Sequence, residues 1–321
     1  MQPDFPPRLE NKFYLTEGGS ETEIMYKWGF ELPEFAMYPL LDNPQADEIL
    51  RNMFRRYFEV AAVHNTGMLL NGHDYRASPD WGEKLGYSAE GLREMQRRTI
   101  RFLDDIRAEF ADRVSDVYIA ACIGPRGDAY GTGGEISAQE AEDYHSVQLQ
   151  NLEGTAADMA VAATFNNIPE SIGAIRAANK AGIPIGVSLT LTPEGHLRSG
   201  PALGEAIESI DEATNGGAAW FGTNCSHPLE FEPALAEPGP WLDRLRYIRP
   251  NAAKMDKVAL CSLGHLEDGD PVELGGQMGE VVRRLPAADI IGGCCGTDER
   301  HLSEIALNVN IARSTPLLES G

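Results

Sequence analysis

Short apolar runs alternate along this chain with longer segments in which apolar side chains recur every three or four residues. The short runs have the length and composition of buried strands. They cover residues 13–19, 67–72, 116–124, 157–165, 183–191, 218–225, 257–264 and 288–295. The pattern therefore predicts eight strands, each followed by a connection long enough to hold a helix.

The longer segments carry a helical period and recognisable ends. Ser88 and Ser137 stand at the starts of two of them as N-caps, and Gly182 stands at the end of another as a stop signal. The predicted helices cover residues 44–65, 88–111, 137–154, 169–182, 203–217, 272–285 and 299–313. A proline-rich segment before the seventh strand candidate contains WLDRLRYI, which we also predict to be helical.

Eight strands alternating with helices favour an α/β fold with a closed parallel (β/α)8 TIM barrel. A doubly wound open sheet would show the same local pattern and is the alternative. The length of 321 residues is close to that of such a barrel. Since no low-complexity segment or linker interrupts the alternation, we expect one domain over residues 1–321.

The charge balance narrows the possible partners. The chain has 27 Lys and Arg residues against 49 Asp and Glu residues, which gives a formal net charge of -22. Such a surface repels phosphate backbones and anionic membranes, so we expect small-molecule substrates and no nucleic-acid or membrane partner. There is no apolar window of the roughly 18 residues that a membrane span needs, and no secretion signal at the start. We therefore expect a cytoplasmic protein.

The cysteines carry the chemistry that the sequence suggests. Cys294 and Cys295 stand in GGCCGT at the end of the last apolar run, where the glycines allow the bend that two adjacent side chains need to meet one ion. Taken alone, that pair could also be two small core residues or a vicinal disulfide. Cys225 ends another apolar run, and in a barrel these strand ends share one face. Three sulfur ligands with an open fourth position suit Zn²⁺, which would present a thiol substrate as its thiolate.

GTNCSHP and GGCCGT, in that order, resemble the zinc motifs of the homocysteine S-methyltransferase family. TEGGSETEI (16–24), GHDYRAS (72–78) and FNNIPE (165–170) also resemble family segments, the second of them a Thr-Asn-Thr-Tyr-Gln-Ala-Ser stretch. The resemblance covers nearly the whole chain. It implies a (β/α)8 barrel that moves a methyl group from a sulfonium or ammonium donor to a zinc-bound homocysteine sulfur. It also implies that Cys225, Cys294 and Cys295 are the zinc ligands.

The same resemblance implies a set of substrate contacts, and two of them depart from the family pattern. The set includes Glu17, Tyr75 and the position of Asn166. We also expect substrate contacts from Gly18, Gly19 and Asn224, although a tight turn would equally select the two glycines and Asn224 could instead cap its loop. Glu17 replaces an aspartate, and Asn166 replaces an acidic residue that helps to hold the homocysteine ammonium. The loss of that charge leaves the acceptor open.

Other candidates in the sequence have ordinary explanations. His73, His227 and His265 could act as bases or ligands, although polar packing is the more usual role of such residues. Cys122 and Cys261 lie inside apolar runs and are expected to be core residues.

Three hypotheses follow from the sequence. The first is methylation of a zinc-bound thiol, with homocysteine giving methionine. The second keeps the zinc but uses another acceptor, such as a 2-oxo acid methylated at carbon. The third is a zinc-binding protein without catalysis. The sequence does not distinguish among S-methylmethionine, S-adenosylmethionine and betaine-type donors, and it does not give the oligomeric state.

Overall fold

The computed structural model describes residues 4–131, 136–255, 260 and 263–314. Eight parallel strands pair in chain order and close into a barrel, in which β8 returns to pair with β1. The strands are β1 (Tyr14–Leu15), β2 (Gly67–Asn71), β3 (Val117–Ile123), β4 (Met159–Phe165), β5 (Ile185–Leu189), β6 (Trp220–Asn224), β7 (Leu245–Arg249) and β8 (Ile290–Ile291). The predicted (β/α)8 barrel is confirmed, and the open doubly wound sheet is wrong.

Helices follow the strands, and the predicted ends of several are confirmed. They are α1 (Ser20–Tyr26), α2 (Pro44–His64), α3 (Pro79–Lys84), α4 (Ala89–Glu109), α5 (Ala138–Gln150), α6 (Ile168–Ala181), α7 (Leu203–Thr214), α8 (Pro228–Phe231), α9 (Pro271–Arg284) and α10 (Glu299–Ser314). Ser88 caps α4, Ser137 forms a capping box with Glu140 on α5, and Gly182 ends α6 with a left-handed φ of 73°. Within the part of the chain that the structure describes, no helix is long and apolar enough to cross a lipid bilayer.

The prediction for the seventh strand is wrong. WLDRLRYI is not one helix: a 3-10 turn covers Pro240–Arg244, and β7 follows at Leu245–Arg249. The charge of Arg246 makes this segment look polar in the sequence. In the structure its side chain is buried, and its guanidinium pairs with Asp289 at 2.7 Å. The segment 257–264, predicted as the strand, falls largely outside the described residues, and Cys261 lies outside them.

The interior of the barrel is filled by side chains. A buried cluster inside it contains Tyr14, Leu69, Met159, Trp220, Tyr247 and Ile290. The Trp220 ring fits because β5 has a glycine beside it: a Cβ on Gly186 would lie 2.1 Å from that ring. Because side chains fill the barrel, we expect a ligand to bind at its carboxyl end, where barrel enzymes place their active sites.

Candidate active site

Three cysteines meet at the carboxyl ends of β6 and β8. The Sγ atoms of Cys225, Cys294 and Cys295 all lie within 4.8 Å of one another, and those of Cys225 and Cys294 are 2.8 Å apart. Cys225 has a left-handed φ of 58°, which turns the chain sharply just after β6. The structure therefore brings together the three cysteines that the sequence singles out, and none of the described cysteines forms a disulfide.

The glycines around Cys294 and Cys295 are required by close contacts. A Cβ on Gly292 would lie 1.9 Å from Thr16 Oγ1, and one on Gly293 would lie 2.1 Å from Thr297 Oγ1. Thr297 Oγ1 also donates a hydrogen bond of 2.7 Å to the Cys294 carbonyl. The turn that carries the two cysteines thus packs against Thr16 just after β1, and the hydrogen bond from Thr297 stabilises it.

The loop between β1 and α1 packs onto the same turn. Gly19 N donates to the Thr297 carbonyl at 2.9 Å, and a Cβ on Gly19 would lie 2.4 Å from the Cys294 carbonyl oxygen. A Cβ on Gly18 would lie 2.8 Å from the Thr297 carbonyl oxygen. Packing between the two loops is sufficient reason for both glycines, and their contact with substrate stays a prediction.

The Glu17 carboxylate is held inside the protein. Asn71 donates to it twice, from its backbone N at 3.0 Å and from Nδ2 at 2.8 Å, and Arg249 Nη1 lies 2.7 Å from Oε1. Arg249 also donates to the Gly293 carbonyl at 2.8 Å. Burial is the largest single influence and opposes the charge, but Glu17, Tyr247 and Cys294 together raise the pKa of Arg249 well above its usual value. The negative charge of Glu17 is therefore already balanced, a role for Arg249 that the sequence did not reveal.

Glu21 is a second acidic residue at the cavity that sequence reasoning missed. It lies in the first turn of α1 and lines the cavity together with Cys295. Ser20 Oγ donates to Glu21 Oε2 at 3.3 Å. Burial raises the pKa of the Glu21 carboxyl, and the nearby Cys295 charge acts in the same direction. The sequence signal that could have identified Glu21 is its position just after the Gly-Gly turn in TEGGSETEI.

The two asparagines predicted to contact substrate have clear internal roles. Asn224 Oδ1 accepts from Thr164 N at 3.0 Å and from Ser188 Oγ at 2.6 Å, and its Nδ2 lies 3.4 Å from Cys225 Sγ. Asn224 thus orients a cysteine of the cluster. Asn166 Nδ2 donates to the Ala129 carbonyl at 2.9 Å and to two neighbouring carbonyls, so it holds the loop after β3. Asn166 is not among the described residues that line the cavity.

The cavity beside the sulfur atoms has a volume of about 380 Å³. Tyr75 lines it and packs on the end of β3, where Gly124 N donates to the Tyr75 carbonyl at 2.9 Å. Tyr130 also lines it, and burial followed by the charges of Cys225 and Cys295 raises the pKa of Tyr130 well above its usual value. These rings give the cavity an aromatic wall next to the cysteines.

His73 lines the cavity but does not join the cysteine cluster. Its ring packs against Phe54 and Phe102, with ring centroids 5.3 and 4.9 Å apart. Neither ring nitrogen has a hydrogen-bond partner among the described residues. Burial lowers the pKa of His73 to about 3, so the ring is neutral at physiological pH.

The other two histidines lie outside the cluster as well. His227 caps α8, with Nδ1 accepting from Leu229 N at 3.3 Å, and burial lowers its pKa to about 4. His265 is exposed, and its hydrogen bond to Glu267 raises its pKa. Cys122 is buried in the barrel cluster, as predicted, and it also lines the floor of the cavity.

A thiol cluster with an open side, at the mouth of a (β/α)8 barrel, defines a candidate metal centre next to a substrate cavity. The family model described as homocysteine S-methyltransferase matches residues 14–309. The chain belongs to the homocysteine S-methyltransferase family.

Several individual proteins are similar to this chain. Selenocysteine Se-methyltransferase from Brassica oleracea var. italica is 23% identical over 317 residues, with 89% of this chain and 85% of that protein covered. Homocysteine S-methyltransferase YbgG from Bacillus subtilis (strain 168) is 25% identical, with 69% of this chain and 74% of that protein covered. The methionine synthase of Mycobacterium leprae (strain TN) is 23% identical, and the chain spans only 22% of its length.

Among solved structures, the homocysteine methyltransferase MmuM from Escherichia coli, in its metallated form, has the same fold. The TM-score is 0.70 at 18% sequence identity, and the match covers 93% of this chain and 96% of that one.

Proposed function

We propose that this protein is a zinc-dependent methyltransferase that moves a methyl group from a sulfonium or ammonium donor to a thiol, with homocysteine as the acceptor. The observation that carries the proposal is the convergence of Cys225, Cys294 and Cys295 beside a cavity of about 380 Å³. The names of the Brassica and Bacillus relatives support the reaction class.

The three thiols fit zinc. Tetrahedral zinc with Zn–S bonds of about 2.3 Å places its sulfur ligands about 3.8 Å apart. All three Sγ atoms here lie within 4.8 Å of one another, so small side-chain movements reach that spacing. Sulfur ligands also favour zinc over magnesium or calcium. When bound, zinc would supply a Lewis acid that lowers the pKa of a thiol substrate and presents it as a nucleophile.

The surrounding residues hold the cluster in a fixed orientation. Asn224 Nδ2 lies beside Cys225 Sγ, and Asn251 Nδ2 donates to the Cys225 carbonyl at 2.9 Å. Hydrogen bonds to Cys225 and Cys295, followed by burial, raise the pKa of the Cys294 thiol well above its usual range. Metal binding must therefore displace protons from the cluster, and zinc affinity should fall at low pH.

The acceptor's ammonium needs an acidic partner, and Glu21 is better placed for that role than Glu17. The charge of Glu17 is balanced by Arg249 at 2.7 Å, whereas Glu21 lies at the cavity wall near Cys295. A charge-assisted hydrogen bond from the ammonium to Glu21 would hold homocysteine with its sulfur directed to the cysteines. Glu21 thus takes over the role that the resemblance assigns to Glu17 and to the position of Asn166.

A second candidate acceptor is a 2-oxo acid methylated at carbon. The resemblance assigns the substrate ammonium to two positions, and both side chains already have partners within the protein. Glu17 pairs with Arg249, and Asn166 binds the loop after β3. This favours an acceptor that has no ammonium. Such a substrate has a carboxylate and no ammonium, so it would not need Glu21.

A matrix of acceptors and isotopically labelled methyl donors, assayed with the zinc-loaded protein, tests the proposal. Product mass and the site of methylation should identify S-methylation of homocysteine with one of the sulfonium or ammonium donors. Carbon methylation of a 2-oxo acid would select the second candidate. Absence of methyl transfer to any thiol or oxo acid, at full zinc occupancy, would contradict both.

A further inference from the structure

Three arginines of the barrel lie largely or fully inside the protein, and one of them differs from the others. Arg246 pairs with Asp289 at 2.7 Å, and Arg249 pairs with Glu17 at 2.7 Å. Arg76 is only 8% exposed, and among the described residues no carboxylate forms an ion pair with it. A buried charge without a counter-charge is costly, so such a residue in a binding cavity indicates an anionic ligand.

The guanidinium of Arg76 is held in a defined orientation. It lies 4.3 Å from the centroid of the Trp81 ring and 4.9 Å from that of the Tyr75 ring. Its Nη1 donates to the carbonyls of Pro125 and Gly127, both at 3.2 Å. These neutral groups fix the side chain but leave its positive charge unbalanced.

Arg76 also has hydrogen-bonding capacity that the protein does not use. Its Nε has no hydrogen-bond partner among the described residues. Within that part of the chain, the hydrogen bonds of Arg76 use Nη1 alone, and the residue lines the same cavity as the three cysteines. A planar guanidinium with free N–H groups matches a carboxylate in two parallel hydrogen bonds.

We propose that Arg76 binds the carboxylate of a substrate whose reacting atom lies at the cysteine cluster. This inference rests on the proposed function. The ligand is a singly charged carboxylate because Glu21 and Asp128 also line the cavity and oppose the binding of a doubly charged phosphate. Both candidate acceptors carry a carboxylate, and so do several methyl donors, so the experiment must separate the two sources.

The family segment quoted above has glutamine at the position of Arg76, which makes Arg76→Gln the natural test variant. Turnover by the zinc-loaded full chain is measured for two matched substrate pairs. The acceptor pair is homocysteine and 3-mercaptopropylamine, which lacks the carboxylate. The donor pair is S-methylmethionine and the corresponding 3-aminopropyl dimethylsulfonium ion. Loss of a charge-assisted, bidentate contact should lower kcat/KM for the carboxylate member about 10–100-fold.

The substrate that lacks the carboxylate should change by less than about threefold, since it makes no contact with Arg76. Selective loss in the acceptor pair assigns Arg76 to the acceptor, and selective loss in the donor pair assigns it to the donor. Equal losses for both members of both pairs would overturn the proposal. So would a wild-type protein that uses the members of each pair equally well.

Two further variants separate binding from folding. Arg76→Lys keeps the charge but lacks the planar fork, so it should lose part of the discrimination and remain folded if Arg76→Gln does not. Arg126→Gln removes an exposed arginine in the loop after β3, whose guanidinium lies 5.4 Å from the Tyr144 ring centroid, and it should leave the discrimination unchanged. Zinc content and thermal unfolding are recorded for each variant.

If the wild-type protein transfers no methyl group, the proposed function fails and Arg76 is tested by calorimetric binding. Homocysteine should then bind wild type at least tenfold more tightly than Arg76→Lys or Arg76→Gln, and 3-mercaptopropylamine should not distinguish them. Equal affinities for homocysteine would overturn the role of Arg76.

Discussion

Two walls of the cavity differ in whether their polar side chains have partners within the protein. On the wall formed after β1 and β8, Glu17 is paired with Arg249, and the turn that carries Cys294 is packed against the glycines of the β1 loop. On the wall formed after β2, Arg76 has no ion-pair partner, and neither ring nitrogen of His73 has a hydrogen-bond partner, among the described residues. On the first wall, the Glu17–Arg249 pair and the turn that carries Cys294 are held in place by contacts within the protein. The second wall retains polar groups that a substrate would satisfy.

The largest effect is expected from a change in the first wall at the cysteine cluster. Cys294→Ser replaces one sulfur ligand, and we expect loss of zinc and a decrease in activity of more than about 100-fold, since even residues behind the ligands typically contribute 10–100-fold. Zinc content and turnover measure this. Cys122→Ser, a change in the barrel floor outside the cluster, should retain zinc. Full zinc content in Cys294→Ser would show that Cys294 is not a zinc ligand.

The paired charges of the first wall give the next prediction. Arg249→Gln leaves Glu17 buried without its counter-charge, and we expect a loss of about 3–5 kcal/mol in the free energy of unfolding. Glu17→Gln with Arg249→Gln should cost less than the sum of the single changes, because the two residues interact directly. Urea unfolding of the four proteins measures the coupling. Additive effects would show that the ion pair does not organise this wall.

Asp74, behind the second wall, gives a prediction on pH. Burial raises the pKa of this carboxyl to about 7, against hydrogen bonds from Cys122 N and Gln96 that lower it. The folded protein therefore keeps Asp74 protonated at pH values where the unfolded chain has released the proton. Its contribution to stability is present below about pH 4 and should fall by about 1.4 kcal/mol per pH unit up to about pH 7.

The difference in unfolding free energy between wild type and Asp74→Asn isolates this contribution. That difference should decline between pH 4 and pH 7 and level off above about pH 7. A flat difference over this range would show that Asp74 is ionised in the folded protein.

The smallest expected effect concerns Asn166. Its Nδ2 donates to three carbonyls of the loop after β3, so Asn166→Glu would place a carboxylate against acceptors and cost about 1–2 kcal/mol of stability. Activity with homocysteine and with the matching 2-oxo acid should fall to a similar extent. Asn166→Gln, which keeps the donor, should cost less. A selective gain for homocysteine in Asn166→Glu would instead place this residue at the ammonium.

The strands could be predicted where burial and apolar character coincide. Seven of the eight strand candidates correspond to strands of the barrel because those segments are apolar and end at glycine or polar residues. β7 was missed because Arg246 and Arg249 place two charges in a strand of five residues. Their partners, Asp289 and Glu17, are distant in the chain, so the pairing that permits burial cannot be read from local sequence.

The residues of the candidate site were also predictable only in part. Cysteines and glycines at strand ends were visible in the sequence, since a barrel places those ends on one face. The roles of Glu21, Arg76 and Arg249 depend on how the loops fold over that face, and no periodic pattern encodes it. The family motif led us to predict that Asn166 contacts the substrate. In the structure its amide instead donates to the loop of the preceding βα unit.

We propose that the three cysteines hold a zinc ion to which a thiol substrate binds. X-ray absorption at the zinc edge, recorded on the zinc-loaded protein with and without homocysteine, tests it most directly. We predict three sulfur neighbours at about 2.3 Å and one lighter ligand without substrate, and four sulfur neighbours once homocysteine is added. A zinc environment with fewer than three sulfur neighbours, or one that homocysteine leaves unchanged while it is being methylated, would contradict the account.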